Sequence, residues 1–337
     1  MAKKKLEATG TASAIDSSAV ALSRSSVHRW AVALTVMTFP LIWVGGLVTT
    51  YDAGMAVPDW PNTFGYNLLL YPVSTWVSGP FDLFVEHGHR LLGIVVGLLA
   101  IGLVVSAHLF ESRRWMVAWA WFVLAAVIAQ GVLGGLRVLM DQRTMAMIHG
   151  CTGPLFFCLA TATAVMTSRW WMDCPSVDVR RGFFRFFVLF LGVAAFCQLV
   201  IGAQLRHIQP WSTPGSFIPL VHLHLTLAGV VTLLILWVGI KTRLRSMNST
   251  LGLRRPSGIL LFLVFVQLVL GVGTWIANYA LPWPELTEWL ARYTISAKGF
   301  AESWIITGHQ ATGSLIVAFS TVLILRTFRQ FRNQPNS

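Results

Sequence analysis

Glu86-His87-Gly88-His89-Arg90 brings a carboxylate, an imidazole and a guanidinium to the start of a long apolar run. Ionisable groups are costly beside hydrocarbon, so they mark functional positions by default. On a helix, Glu86 and His89 share a face, and Gly93 lies one turn beyond His89. A glycine there removes bulk beside the imidazole and lets a flat ligand or a second helix come close. The pattern His-x-x-x-Gly returns at His149 to Gly153 and at His309 to Gly313, while His224 is followed at that spacing by Ala228. Such a set offers proton transfer through the carboxylate and metal ligation through the imidazoles.

The elements that must position these groups are membrane helices. The chain has 337 residues, 55% of them hydrophobic and 11% charged, with mean hydropathy +0.66. This is the composition of a polytopic membrane protein. A spanning helix needs about 20 mostly apolar residues, and eight stretches qualify: roughly 28–50, 88–110, 115–137, 147–168, 183–205, 220–240, 257–279 and 304–325. The net charge of +12 does not indicate nucleic acid, because it is distributed by side. With a cytoplasmic N-terminus, 19 of the 25 Lys and Arg fall inside, against 5 of the 13 acidic residues. That bias places both termini in the cytoplasm, and the protein is expected in the plasma membrane as a multi-pass chain. Residues 1–27 are expected to form a polar tail before an uncleaved first helix, and residues 326–337 a second tail.

The spans repeat. The first, third, fifth and seventh carry glycines near their outer ends: Gly45-Gly46, Gly134-Gly135, Gly202 and Gly271. In the last three, Gln130, Gln198 and Gln267 stand one turn before that glycine. The alternate spans open on the repeat histidines. The expected fold class is an all-α polytopic membrane protein of eight transmembrane helices in two pseudosymmetric four-helix bundles, 28–168 and 183–325. The outer segment 51–85, with Pro58-Asp59-Trp60-Pro61, is either an ordered cap or an interfacial anchor, and 280–303 has the spacing of a surface helix.

His89, His149, His224 and His309 then lie at one level toward the outer side, two per bundle. A lone membrane histidine is usually a hydrogen-bond partner between helices. Four at equivalent positions point to ligation. Zinc and copper sites recruit several side chains at once, whereas a macrocycle supplying four nitrogens needs only two axial imidazoles. Haem is the economical reading, with all four as axial ligands to iron. His28, His87, His108, His207 and His222 lack the repeat context and are read as non-ligands.

Gly54, Pro58-Asp59-Trp60-Pro61, Glu86-x-x-His89-Arg90, Gly134-Gly135-Leu136-Arg137, His149, His224 and His309 together resemble the haem A synthase family. The resemblance implies oxidation of a methyl group on haem O to the formyl group of haem A, by successive hydroxylation and loss of water. It implies haem b on His224 and His309 as cofactor, and substrate haem attended by His89 and His149. It makes Glu86 the acidic residue needed for reaction; by their own chemistry, Glu86 either moves protons or stabilises positive charge and Arg90 pairs a haem propionate, or the two form an ion pair at the helix end. Its implied partners are the haem O substrate, a haem O synthase, an electron donor such as a ferredoxin or quinol, and cytochrome oxidase assembly, with a homo-oligomer compatible. The chain departs from the pattern at Thr49 and Leu225, where the family commonly carries arginine. A di-haem b-type cytochrome exchanging electrons with quinone is the alternative; it needs haems at different depths, and these histidines share one level. A transporter usually has polar, broken helices at the midplane, and these spans are apolar there.

Overall fold

The structure, a computed structural model, describes residues 2–174, 182–208, 212–244, 251–279 and 299–331, with residues 2–25 and 251 described by backbone alone. The first helix is α1 (Ala2–Thr50), followed by a 3-10 turn at Ala53–Met55 and the short α2 (Val73–Val77). Then come α3 (Phe81–Phe110), α4 (Arg114–Met140), α5 (Arg143–Thr167) and the short α6 (Arg169–Asp173). The rest are α7 (Gly182–Arg206), α8 (Pro214–Lys241), α9 (Leu251–Tyr279) and α10 (Phe300–Gln330). Eight of these, among the described residues, are long and apolar enough to cross a membrane. Apolar runs of this length become helices because hydrocarbon offers no partner for backbone N–H and C=O.

The helices start earlier than hydropathy suggests. Their first residues are Phe81, Arg143, Pro214 and Phe300, so the repeat histidines sit six to ten residues inside rather than at the openings. The extra turns carry Asp82, Arg143, Thr144, Pro214 and Glu302. Proline and acidic residues suit a helix N-terminus, yet a hydropathy window excludes them. The outer connection expected over 138–146 shrinks to Asp141 and Gln142. The segment read as an N-terminal tail is continuous with α1, and α10 runs into the segment read as the C-terminal tail. Most of the expected surface helix, 280–298, lies outside the described residues.

Four helices close around each of two apolar clusters. In the first, α1 and α4 each lie against α3 and α5 around Leu34, Val96, Leu103, Val123 and Phe156. In the second, α8 and α10 each lie against α7 and α9 around Leu191, Ile235, Leu260, Leu323 and Phe331. The groups meet where α10 packs on α1 and α5, and α5 on α7.

Candidate functional site

The four repeat histidines form two pairs of matching dimensions. His89 on α3 and His149 on α5 have ring centroids 6.4 Å apart. His224 on α8 and His309 on α10 are also 6.4 Å apart. Each ring rests on the glycine of the preceding long helix. A Cβ built on Gly45 would lie 2.8 Å from Cε1 of His89, and one on Gly134, Gly202 or Gly271 would lie 3.1 Å from Cε1 of His149, His224 or His309. These glycines seat imidazoles; any side chain would displace the ring.

Polar contacts mark the ring nitrogens. The Gln198 amide nitrogen stands 3.3 Å from Nε2 of His224, and that of Gln267 stands 3.5 Å from Nε2 of His309. A ring nitrogen that accepts from an amide presents its lone pair, which is what a metal takes. In the first pair, the Gln130 amide donates instead to the His149 carbonyl, and Thr152 donates to Gln130. The turn after each ring is open or lined by glutamine: nothing meets Gly93, while Gln130 approaches Gly153 and Gln267 approaches Gly313.

Two observations fit haem. The backbone carbonyls of Leu41, Gln130 and Gln267, each one turn before a seat glycine, stand against the rings of His89, His149 and His309, a contact that orients an imidazole and leaves its other nitrogen for a ligand. The 6.4 Å separations put the midpoint 3.2 Å from each ring centre. An imidazole–metal bond of about 2.0–2.1 Å plus a ring radius of about 1.1 Å makes that length. Among the described residues no three His, Cys, Asp or Glu side chains are grouped to hold a bare ion. Two imidazoles per site therefore suit a metal whose other ligands arrive with it.

Glu86 and Arg90 sit beside the first pair, and both are engaged with the loop between α1 and α3. Glu86 is 2% exposed. Its Oε1 accepts from Arg90 at 2.8 Å and its Oε2 from the Val57 N–H at 3.0 Å. Arg90 also donates to the carbonyls of Val57, Asp59 and Asn62. Asp59 accepts from the N–H groups of Phe64 and Gly65 at 2.8 and 2.7 Å. Burial alone would raise the Asp59 carboxyl, but those two amides and then Arg90 hold it below its ordinary value. His87, which the repeat leaves aside, anchors the same loop through Thr63 at 3.2 Å and the rings of Tyr71 and Trp76. The loop is thus an ordered cap, fastened by α3.

Trp60 of that loop packs on Gly135 of α4, and the Arg137 guanidinium packs on Gly54, where added Cβ atoms would collide. Overpacking of this kind costs about 1–3 kcal/mol. Gly135→Ala should therefore unseat Trp60 and speed amide exchange over 57–66 roughly tenfold or more, leaving helix exchange unchanged, as mass spectrometry would show. Unaltered exchange in the loop would mean that Trp60 does not fasten it.

The remaining histidines stand elsewhere. His28 meets Thr167, His108 accepts from Trp121 Nε1, and His222 is exposed. His207 lines a cavity where α5, α7 and α8 meet, with Arg143, Gln204, Ser212 and Ser216. Sequence spacing marked Gln130, Gln198 and Gln267 and set Arg137 in a motif, but not that Gln198 and Gln267 meet the repeat histidines or that Arg137 and Arg206 reach Gly54 and Gly46 of distant segments.

Comparison with known proteins places this geometry. The "Heme A synthase" of Lysinibacillus sphaericus is 24% identical over 146 residues, 42% of this chain and 45% of that protein. The "Heme A synthase" of Geobacillus kaustophilus is 27% identical over 36% of each chain. The chain thus aligns with less than half the length of these two relatives. The "Heme A synthase" of Sphingopyxis alaskensis is 22% identical over 93% of this chain and 95% of its own. A family model, COX15-CtaA, described as cytochrome oxidase assembly protein, matches residues 28–213, more than half of the sequence. The chain belongs to the COX15-CtaA family of cytochrome oxidase assembly proteins.

Proposed function

We propose that this chain is a haem A synthase, taking a methyl group of haem O through two successive hydroxylations, each drawing two electrons into an external oxidant, and loss of water to the formyl group of haem A. The observation that carries the reading is the two histidine pairs at one separation, each on its glycine seat. The relatives named Heme A synthase support it. His224 and His309 would hold haem b, and His89 and His149 would hold the substrate haem. When bound, haem iron supplies the redox chemistry, and the protein supplies position, charge and dryness.

Glu86 lies one turn from His89, and its carboxylate is held by two donors. A fixed anion there stabilises positive charge developing at the substrate methyl carbon. Arg90 spends four hydrogen bonds on Glu86 and three loop carbonyls. It therefore serves as a positioning residue for the cap rather than the propionate partner expected from sequence. Trp60 and the cap keep water from the first pair. Haem O synthase as supplier, a ferredoxin or quinol as electron donor, and cytochrome oxidase as destination follow from this role. The charge bias supports a plasma-membrane protein with cytoplasmic termini and both sites toward the outer side.

Pigment extraction from membranes of a host that makes haem O, with and without the chain, tests this. Haem A should appear only with the chain, beside protein-bound haem b. Haem b alone would overturn the synthase and favour the di-haem cytochrome, which the equal spacing of the two pairs also suits.

A further inference from the structure

We propose that Arg206 binds a carboxylate of the group held between His224 and His309, which on the function proposed here is a haem propionate. Arg206 ends α7, one turn beyond Gly202, the seat of His224. It donates to the side chain of Gln310, the residue after His309. The guanidinium is therefore adjacent to the surroundings of both imidazoles. It also donates to the Gly46 carbonyl at 2.7 Å and to Thr50 Oγ1 at 2.5 Å.

Every one of these acceptors is neutral. Among the described residues no carboxylate pairs with Arg206; the ion pairs are Arg90 with Glu86 and Arg113 with Glu111. A guanidinium cannot shed its proton, and a buried charge without an opposite charge is costly. These three hydrogen bonds leave two of its five N–H groups for an anion. The matching positions four residues after the other seat glycines are Thr49, Val138 and Trp275, so the repeat does not require a cation there. The neighbouring rim is cationic as well. His207 is pushed down to about 4 by burial first and then by Arg206, Arg137 and Arg143. An anion entering here meets three arginines and a neutral imidazole.

The test uses the full chain carrying His89→Ala and His149→Ala, so that only the second pair binds. Prepared without haem, it is titrated with haem b and with haem b dimethyl ester, whose propionates carry no charge. Haem b should bind roughly ten- to a hundredfold tighter than the ester, the range of one charged hydrogen-bonded pair. Arg206→Gln should erase that preference while leaving ester affinity unchanged. Equal affinity for both ligands before Arg206 is altered overturns the proposal, however the variant folds. A preference that survives Arg206→Gln overturns it too. Glu285 and Glu288 lie outside the described residues and are the rival partners. Replacing both with Gln should leave the melting temperature of the haem-free chain unchanged, and a fall would assign the anion to them. Binding of neither ligand would overturn the haem reading itself, and the anchor with it.

Discussion

Membranes carrying Glu86→Gln should accumulate haem O or an early hydroxylated product instead of haem A, while the protein keeps its haem b. The other repeat histidines have Ala146, Val221 and Ile306 at the position of Glu86, so a carboxylate is confined to the first pair. Glutamine keeps size but not charge, and its amide must face a donor that Glu86 now accepts, either Arg90 or the Val57 N–H. Part of the effect will therefore be a looser cap. Breaking a buried ion pair costs about 3–5 kcal/mol, so the control must loosen the cap without removing the anion. Arg90→Gln does so. If Glu86 acts only through the cap, both variants should lose haem A equally. If the carboxylate meets the substrate, Glu86→Gln should fall about a hundredfold or more further, as removal of one electrostatic stabiliser of a developing charge does. Normal haem A production by Glu86→Gln would leave it a loop fastener.

His309→Ala and His224→Ala are expected to abolish the haem b spectrum in a protein that still inserts. Loss of even an outer hydrogen bond to a metal ligand lowers affinity about 10–100-fold, and loss of the ligand itself should exceed that. Haem b per protein, measured as the pyridine haemochrome after purification, should drop by at least about tenfold. Retention of unchanged haem b by both variants would refute the axial assignment. Loss instead in His89→Ala or His149→Ala would move the resident haem to the first pair.

Much of this architecture is local and so could be read from sequence. An apolar run of about 20 residues announces a span regardless of its neighbours. The interval from His149 to Gly153 is fixed by one helical turn, and so is that from Gln267 to Gly271. What escaped is carried by partners without side-chain signatures. Arg90 is fastened to carbonyls 28 to 33 residues away, and Arg206 reaches the Gly46 carbonyl across 160. Any residue type offers such a carbonyl, so no spacing foretells it. The seat glycines showed the same limit from the other side. Their positions were visible, but helix packing alone would have explained them until Gly202 was found under His224 and Gly271 under His309.

Gly45 and Gly46 divide between the two sites. A methyl group on Gly45 would press on His89; one on Gly46 would press on Thr307 and Gln310, beside His309. One step along α1 turns the helix by about 100°, and that turn changes which site is touched. By sequence α1 belongs to the first repeat, yet by contact it is a wall of both. The two repeats therefore cannot drift independently over evolutionary time. A change tolerated at residue 45 by the first repeat alone does not extend to residue 46, where the other repeat sets the terms.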